Sequence, residues 1–572
     1  MANARKRDAY PLRMLLRLFD RYRAYLPLLV LLGVAGSLAE SIGISLIVLL
    51  LSAMLGEGGV GAIGGLLGRI YSAALGLADG RTALLAGLVL LLIAARSLSN
   101  VIYALLGSWL RHALSEDVRN RLHAELFDQS YGQVRRRDMG ELLTILSADS
   151  WAVADASHLL TRIATNICSI VIFGAFVAAM SPNLALMAAV GSLLIFAVVE
   201  RLGRRAAMLG EHALATNIAL ADRTLAGLQG MRTLRAFGAE EGEKERFRAA
   251  SRAVRSAFTA IDRLQAFLSP LTEISYLLLL AALIAASGPL GVPIPATMTA
   301  VLLLYRLQPH LRELEGARLS LSGHDASLRQ VQNVLDPRDD QPPPAGSRPF
   351  RGFKQSIRFE GAGFAYAGAD TPVLRNLDIE IPAGGVTAVA GPSGVGKTTL
   401  IGLLLRLYRP TEGRILVDGV PLDELSRRDW LSRVALAGQD ADLIAGTIAD
   451  NLRIGRPAAT EAELREVAEL AGIDRFISDL PEGYETEVGE RGLNMSGGQR
   501  QRMGLARALL RDPDILILDE ATNALEDQLE RDIHDRLRAR FAGRTIILIT
   551  HRTTGLPPAD RVVALTSPDP TG

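Results

Sequence analysis

The apolar stretch from about residue 26 to residue 55 constrains this chain most, because it exceeds the roughly 20 residues needed to cross hydrocarbon and is too long for the core of a signal peptide. It is expected to be a retained membrane helix. Further stretches of this kind lie at about 84 to 108, 158 to 181, 184 to 200, 266 to 288 and 294 to 309, so an all-α membrane domain of six spans is expected. The last is the weakest, since Arg306, Gln308, His310 and Arg312 interrupt it and would need shelter inside a bundle. An apolar content of 49% and a mean hydropathy of +0.23 over 572 residues agree with a membrane portion joined to at least one other domain.

Charge orients the spans. Residues 1 to 23 carry seven Lys or Arg, with Leu12, Leu15, Leu16, Phe19 and Tyr22 at helical spacing opposite Arg13, Arg17 and Arg21, the pattern of an amphipathic helix on a membrane surface. Residues 109 to 157 carry six Arg and 201 to 263 carry twelve Lys or Arg, against only Arg69 and Arg81 between the first two spans. By the positive-inside tendency both termini and both long loops are cytoplasmic. The two loops read as helical continuations of their spans, with turns expected near Met139-Gly-Glu-Leu-Leu143 and Gly227-Leu-Gln-Gly230. They are either solvated loops or contact points for another domain. Charge within a span is expensive, and Glu40 with Arg96, and Glu273 with Arg306, sit at comparable depths. Each is a candidate pair, either purely structural or lining a substrate cavity.

A net charge of +1 gives no global signal for nucleic acid, Cys168 alone excludes an intrachain disulfide framework, and the eight histidines fall singly, without metal-ligand spacing. After Val334-Leu-Asp-Pro337 the chain becomes proline-rich and polar as far as Ser347. This marks a boundary: a membrane domain over 1–336, a linker over 337–349, and a second domain over 350–572 in which β-type runs alternate with helical ones, as in an α/β nucleotide-binding domain.

Within that domain, Gly391-Pro-Ser393-Gly394-Val395-Gly396-Lys397-Thr398-Thr399 fits the pattern G-x-x-x-x-G-K-[ST], between an apolar strand at Val386 to Ala390 and an apolar helical run from Leu400. Such a loop turns backbone N–H groups onto phosphate oxygens at a helix N-terminus. Lys397 is expected on the β- and γ-phosphates and Thr398 on Mg²⁺. Farther on, Ile515 to Leu518 is an apolar strand that delivers Asp519 and Glu520 at its carboxyl end, where open α/β sheets bind ligands. Asp519 is expected to hold Mg²⁺ through water and Glu520 to activate the attacking water, although paired acids there can also cap a helix. Thr545 to Thr550 delivers His551 to the same edge, in reach of a γ-phosphate.

Asn494-Met-Ser496-Gly497-Gly498-Gln499-Arg-Gln-Arg502 completes a set that resembles the ATP-binding cassette exporters, specifically half-transporters with one membrane domain and one nucleotide-binding domain. The resemblance covers nearly the whole chain, with Met495 where the family has Leu. It implies that Tyr366 stacks on adenine, that Gln439 reaches Mg²⁺ and the attacking water, and that Glu487 to Gly492 touches the loop turns, which then act as coupling helices. Ser496, Gly497, Gly498 and Gln499 would bind the γ-phosphate held by a second chain, so a homodimer is implied. Asn523-Ala-Leu-Glu526 departs from the family's Ser-Ala-Leu-Asp, and no helical tail or leader-peptidase domain is expected. The activity implied by the resemblance is ATP-driven export, across a bacterial inner membrane, of a hydrophobic or amphipathic small molecule or peptide. A lipid or lipid-linked-sugar flippase, an ATP-gated channel and an importer are the alternatives.

Overall fold

The computed structural model describes residues 20–54, 72, 76, 82–292, 294–336, 342–369, 371–438, 441–489, 495–520, 527–551 and 559–565. Most of the basic N-terminal segment, Gln439, residues 490–494 and the stretch Asn523 to Glu526 lie outside them. The chain forms two compact units, residues 1–123 with 140–337, and residues 124–139 with 338–572.

In chain order the helices before residue 337 are α1 (Tyr25–Met54), α2 (Thr82–Asp128), α3 (Tyr131–Arg136), α4 (Met139–Thr144), α5 (Ser150–Met180), α6 (Pro182–Gln229), α7 (Met231–Ala236), α8 (Glu240–Ser287), α9 (Ile294–Gly323) and α10 (Asp325–Leu335). Lipid offers no partner to backbone polar groups, which is why the apolar stretches are helices throughout. Among the described residues, five segments are apolar and long enough to span: Tyr25–Val48, Ala83–Asp128, Met139–Ala179, Pro182–Arg201 and Glu240–Ser287. The sixth expected span is α9, a helix of 30 residues that packs along α5 and α1 and buries Thr297, Thr299 and Gln308. Of the residues expected to need shelter, Gln308 is buried and His310 half-buried, whereas Arg306 and Arg312 are exposed.

The hairpin between α5 and α6 follows from local chemistry. Ser181 is extended, its hydroxyl accepts from the Leu184 amide at 3.4 Å, and Pro182 starts α6 at a position where a missing N–H costs nothing. The first long turn differs from expectation. It is α3, set off by breaks at Gln129–Ser130 and Arg137–Asp138, whereas Met139 to Leu143 lies within α4. Ser130, extended ahead of α3, and Arg137, extended after it, make the breaks, while Gly140 is accommodated inside a helix. The second turn falls at Gly230, the last residue of the expected stretch, which separates α6 from α7.

The charged pairs also resolve. Arg96 Nη2 lies 2.9 Å from Glu40 Oε2, as expected. Arg306 does not meet Glu273, which is exposed; because α9 packs against α1, its Nε lies 3.5 Å from Glu40 Oε1. One buried carboxylate therefore serves two guanidiniums.

The second unit holds an antiparallel sheet in the order β2-β1-β4-β5 (Leu374–Pro382, Ser356–Phe364, Glu412–Val417, Val420–Pro421). A parallel sheet has the order β6-β7-β8-β3-β9 (Val434–Ala437, Ile515–Asp519, Thr545–Thr550, Gly385–Ala390, Arg561–Ala564). Its helices are α11 (Lys397–Leu404), α12 (Arg427–Arg433), α13 (Ile448–Arg453), α14 (Glu461–Leu470), α15 (Asp474–Ser478), α16 (Gly497–Leu510) and α17 (Asp527–Arg540). Strands β7 and β8 are buried almost throughout, which is why they read as continuous apolar runs. β8 lies between β7 and β3, so residues far apart in sequence share one carboxyl edge.

One apolar cluster joins the two sheets around Trp430, which is fully buried and donates its indole N–H to the Leu404 carbonyl at 2.7 Å. Trp430→Ala removes that volume and orphans the carbonyl at the end of α11, so a loss of about 3–5 kcal/mol is expected. Calorimetric melting of the purified full-length protein checks this; a transition unmoved from wild type would show that the cluster does not hold the unit together.

Candidate nucleotide site

The loop from Gly391 to Gly396 runs from the end of β3 into the start of α11, with Gly394 and Gly396 at φ of 83° and 103°, the left-handed region that glycine adopts without penalty. Space adds a second reason for glycine. A Cβ at Gly396 would lie 2.6 Å from Leu374 Cδ2, and one at Gly391 would lie 2.8 Å from the Leu565 carbonyl oxygen. Ser393 and Gly394 are exposed on the loop, Val395 is buried beneath it, and Thr398 is exposed on the first turn of α11. Lys397 is buried and its Nζ donates to the carbonyls of Gly391 at 2.6 Å and Pro392 at 2.9 Å. The ammonium thus lies across the loop it is expected to serve.

Asp519 ends β7 and Glu520 follows it at a φ of 51°, while Glu520's amide donates to Ile549 O at 3.3 Å. A non-glycine residue held there carries strain, which proteins retain at sites where a side chain must be aimed. Glu520 Oε1 lies 2.7 Å from Nδ1 of His551, so the two residues expected at one sheet edge touch each other. Burial first, and then the neighbouring Glu520 carboxylate, push the Asp519 carboxyl up to about 6 from its ordinary 3.8, with Lys397 pulling the other way. Two carboxylates that repel at a half-buried edge make a site short of positive charge. The donor set of Asp519 and the exposed Thr398 hydroxyl fits a hard divalent cation such as Mg²⁺.

Tyr366 lies beside the loop with its hydroxyl 3.0 Å from Thr399 Oγ1 and its ring edge-on to Tyr408 at 5.4 Å and to Phe364 at 5.0 Å. Tyr408 in turn meets Tyr131 of α3 at 5.9 Å, and Arg136 donates to the Ala367 carbonyl at 3.3 Å. Sequence reasoning misses Tyr408. Its one available signal is an aromatic residue soon after the helix that follows the loop.

Ser496 and Gln499 do a structural task of their own. The Ser496 hydroxyl accepts from the Gln499 amide at 3.2 Å, and the Gln499 side chain accepts from the Ser496 amide at 2.7 Å, which fixes the start of α16. Gly497 and Gly498 follow as the first residues of this helix, whose N-terminal amides and dipole can receive an anion. Gln439 lies outside the described residues.

Comparison with known proteins agrees on both units. Residues 46–290 match the family described as the ABC transporter transmembrane region, and residues 374–523 match the family described as ABC transporter. The heterocyst differentiation ATP-binding protein HepA of Nostoc sp. is 34% identical over 459 residues, which is 78% of this chain and 75% of that protein. An ATP-dependent lipid A-core flippase of Chromohalobacter salexigens is 35% identical over 344 residues, 59% of each chain. A solved structure of a bacterial Atm1-family ABC exporter with ATP bound superposes with a TM-score of 0.77 at 27% identity, covering 96% of this chain and 94% of that one.

The raised Asp519 carboxyl has a measurable cost. Because its folded pKa lies above the unfolded value, its contribution to stability is present below about pH 4 and lost as pH rises through about 6. Asp519→Asn is therefore expected to stabilise the nucleotide-free protein at about pH 8 by about 1–2 kcal/mol, after discounting for partial exposure, and to gain little near pH 4. Thermal melting at the two pH values checks the sign; equal effects at both would remove electrostatics as the cause.

Proposed function

The chain belongs to the ABC transporter family, with a membrane domain and a nucleotide-binding domain that hydrolyses ATP in one polypeptide, and from that premise we propose that it exports a hydrophobic or amphipathic substrate by alternating access of a homodimer. The observation that supports this reading most is the Glu520–His551 contact at the same sheet edge as the loop of Lys397. It fits a site for hydrolysing ATP, with a carboxylate poised to accept a proton.

In this reading Lys397 exchanges its bonds to the Gly391 and Pro392 carbonyls for phosphate oxygens, and the backbone N–H groups of Ser393 to Thr399 close around them. Tyr366 stacks on adenine. Thr398 and, through water, Asp519 with Gln439 would hold Mg²⁺, which would offset phosphate charge. Glu520 accepts the proton of the attacking water while its contact with His551 keeps the carboxylate aimed. His551 then meets the γ-phosphate. Ser496 to Gln499 of the second protomer bind that phosphate from the other side, so each site closes only in the dimer.

The second loop tip supports dimerisation. Phe237 is 83% exposed and Met231 and Leu228 are exposed beside it, an apolar cap on α7 that suits a groove in a nucleotide-binding domain. Binding of two ATP molecules favours the closed dimer and an outward-facing cavity, and hydrolysis returns it, as differential ligand affinity for two states requires. Both termini and the nucleotide-binding domain then face the cytoplasm of a bacterial cell. The relative described as a lipid A-core flippase favours a second version of the same reading, in which an amphipathic lipid moves between leaflets.

Glu520→Gln is expected to lower ATP turnover by about 10²- to 10⁴-fold while leaving nucleotide binding intact. Lys397→Ala should weaken binding itself. Proteoliposomes carrying wild type and each variant, assayed for ATP hydrolysis and for stimulation by peptides, lipids and lipophilic drugs, test both steps. Wild-type turnover in the Glu520→Gln protein would remove that carboxylate from the mechanism.

A further inference from the structure

Within the membrane unit, α1, α2, α5 and α9 enclose a cavity of about 180 Å³ whose walls are charged. Two ion pairs define it. Glu40 is held by Arg96 at 2.9 Å and approached by Arg306 at 3.5 Å, and Glu313 is held by Arg162 at 3.1 Å and by the Asn166 amide at 3.2 Å. His310 Nδ1 lies 2.8 Å from Asn166 Oδ1, so this side chain ties two helices together and orients the second pair. Glycine makes room for the arrangement, since a Cβ at Gly33 would overlap Thr165 and one at Gly36 would touch Asn100.

The charges are not symmetrically accessible. The side chains of Arg96, Arg162 and Arg306 are 32%, 38% and 52% exposed, whereas that of Glu40 is 6% exposed. Three guanidiniums face two carboxylates, which leaves one positive charge in excess; the deeply covered Glu40 is shared by two of the three, and the half-exposed Glu313 is taken up by Arg162. Glu40 Oε1 is buried without a hydrogen-bond partner, so Arg306 is attracted to it but not bonded. That half of the triad is the easiest to release. Guanidinium groups suit planar or tetrahedral oxyanions, which they bind through paired N–H donors.

Resting on the transport reading above, we propose that this cavity binds the anionic headgroup, phosphate or carboxylate, of an amphipathic substrate on the guanidiniums of Arg96 and Arg162, with Arg306 beside them, and that Glu40, which stays paired with Arg96, is an internal anion competing for that guanidinium. The surplus positive charge among the three guanidiniums is met by the arriving anion, at a depth where unpaired charge is costly, and no buried carboxylate loses its partner. It also sets selectivity. The surplus repels a cation, and a neutral headgroup leaves it unmet. The cavity takes a headgroup and leaves the apolar tail among the spans.

The test uses the full-length protein in lipid nanodiscs without nucleotide, titrated with dodecyl phosphate, dodecanoate and dodecyltrimethylammonium. At least one anion is expected to bind saturably and the cation not to; which anion binds separates a phosphate from a carboxylate headgroup. Arg162→Ala is expected to weaken anion binding by about tenfold or more, the loss of one charge-assisted pair. Glu40→Gln removes the internal competitor and is expected to tighten it. Arg96→Ala alone would strand a buried carboxylate, so the double variant Glu40→Gln/Arg96→Ala serves as the folded control and should bind anions more weakly than Glu40→Gln. Cation binding as tight as anion binding, or anion affinity indifferent to Arg162 and to the double variant, overturns the proposal. Since no ATP is present, such a failure leaves the transport reading standing; anion binding without ATP-dependent movement would strike at that reading instead.

Discussion

The cost of charge away from water governs this chain. In the membrane unit it permits Glu40 only because two guanidiniums reach it, and that triad ties α1 to α2 and α9. Hydroxyls obey the same rule at lower stakes. Ser37, Ser41 and Ser45 on α1, and Ser157, Thr161, Thr165 and Ser169 on α5, each donate to the carbonyl one turn back, so neither helix presents a naked polar group at these positions. Where the two ladders face each other, Ser37 and Ser169 lie 2.6 Å apart. A seam of small residues with satisfied hydroxyls lets these helices approach closely, and the charged cavity lies along that seam.

In the nucleotide-binding unit the balance is left open. Asp519 and Glu520 are placed side by side, with Lys397 drawing the Asp519 carboxyl down against their repulsion and His551 Nδ1 2.7 Å from Glu520 Oε1, and Glu520 keeps a backbone conformation that costs of order 1–3 kcal/mol. Stability is sacrificed at this edge for a geometry that nucleotide and cation can complete. The parallel sheet makes such an arrangement feasible, because β7, β8 and β3 are locked by apolar side chains on both faces and the functional groups all follow their carboxyl ends.

Much of this is legible from residue order alone. Apolar length announces the spans, and the spacing of Gly391 to Thr399 announces the phosphate loop, because both are local properties. Pairing across helices is legible only in part. Depth matches Glu40 with Arg96, yet depth also suggests Glu273 for Arg306, and only the packing of α9 on α1 decides otherwise. Arg162 lies inside the expected third span and can be singled out by the same cost argument, whereas Asn166, His310 and Glu313 carry no signal until α5 and α9 are side by side. The turn at α3 lies upstream of the expected one because the chain breaks at the extended Ser130 and Arg137 that flank the helix, while Gly140 is accommodated inside α4. Ser496 and Gln499 read as ligand groups in the sequence, and their reciprocal capping of α16 shows that a motif can be required by the local fold before it is required by a ligand.

The two sites are connected through the chain. Thr399 in α11 meets the Tyr366 hydroxyl, Tyr366 packs on Tyr408, and Tyr408 packs on Tyr131 of α3. A Cβ at Gly132 would come within 3.3 Å of the Tyr408 ring, so α3 rests closely on that tyrosine. Helix α3 is also the link between α2, which carries Arg96, and the α4–α5 run, which carries Arg162. Contact alone does not establish coupling, which needs an element with two arrangements that both ligands bias. Within the Glu40 triad, Arg306 is the part least firmly held, attracted to Glu40 Oε1 at 3.5 Å without a hydrogen bond to it.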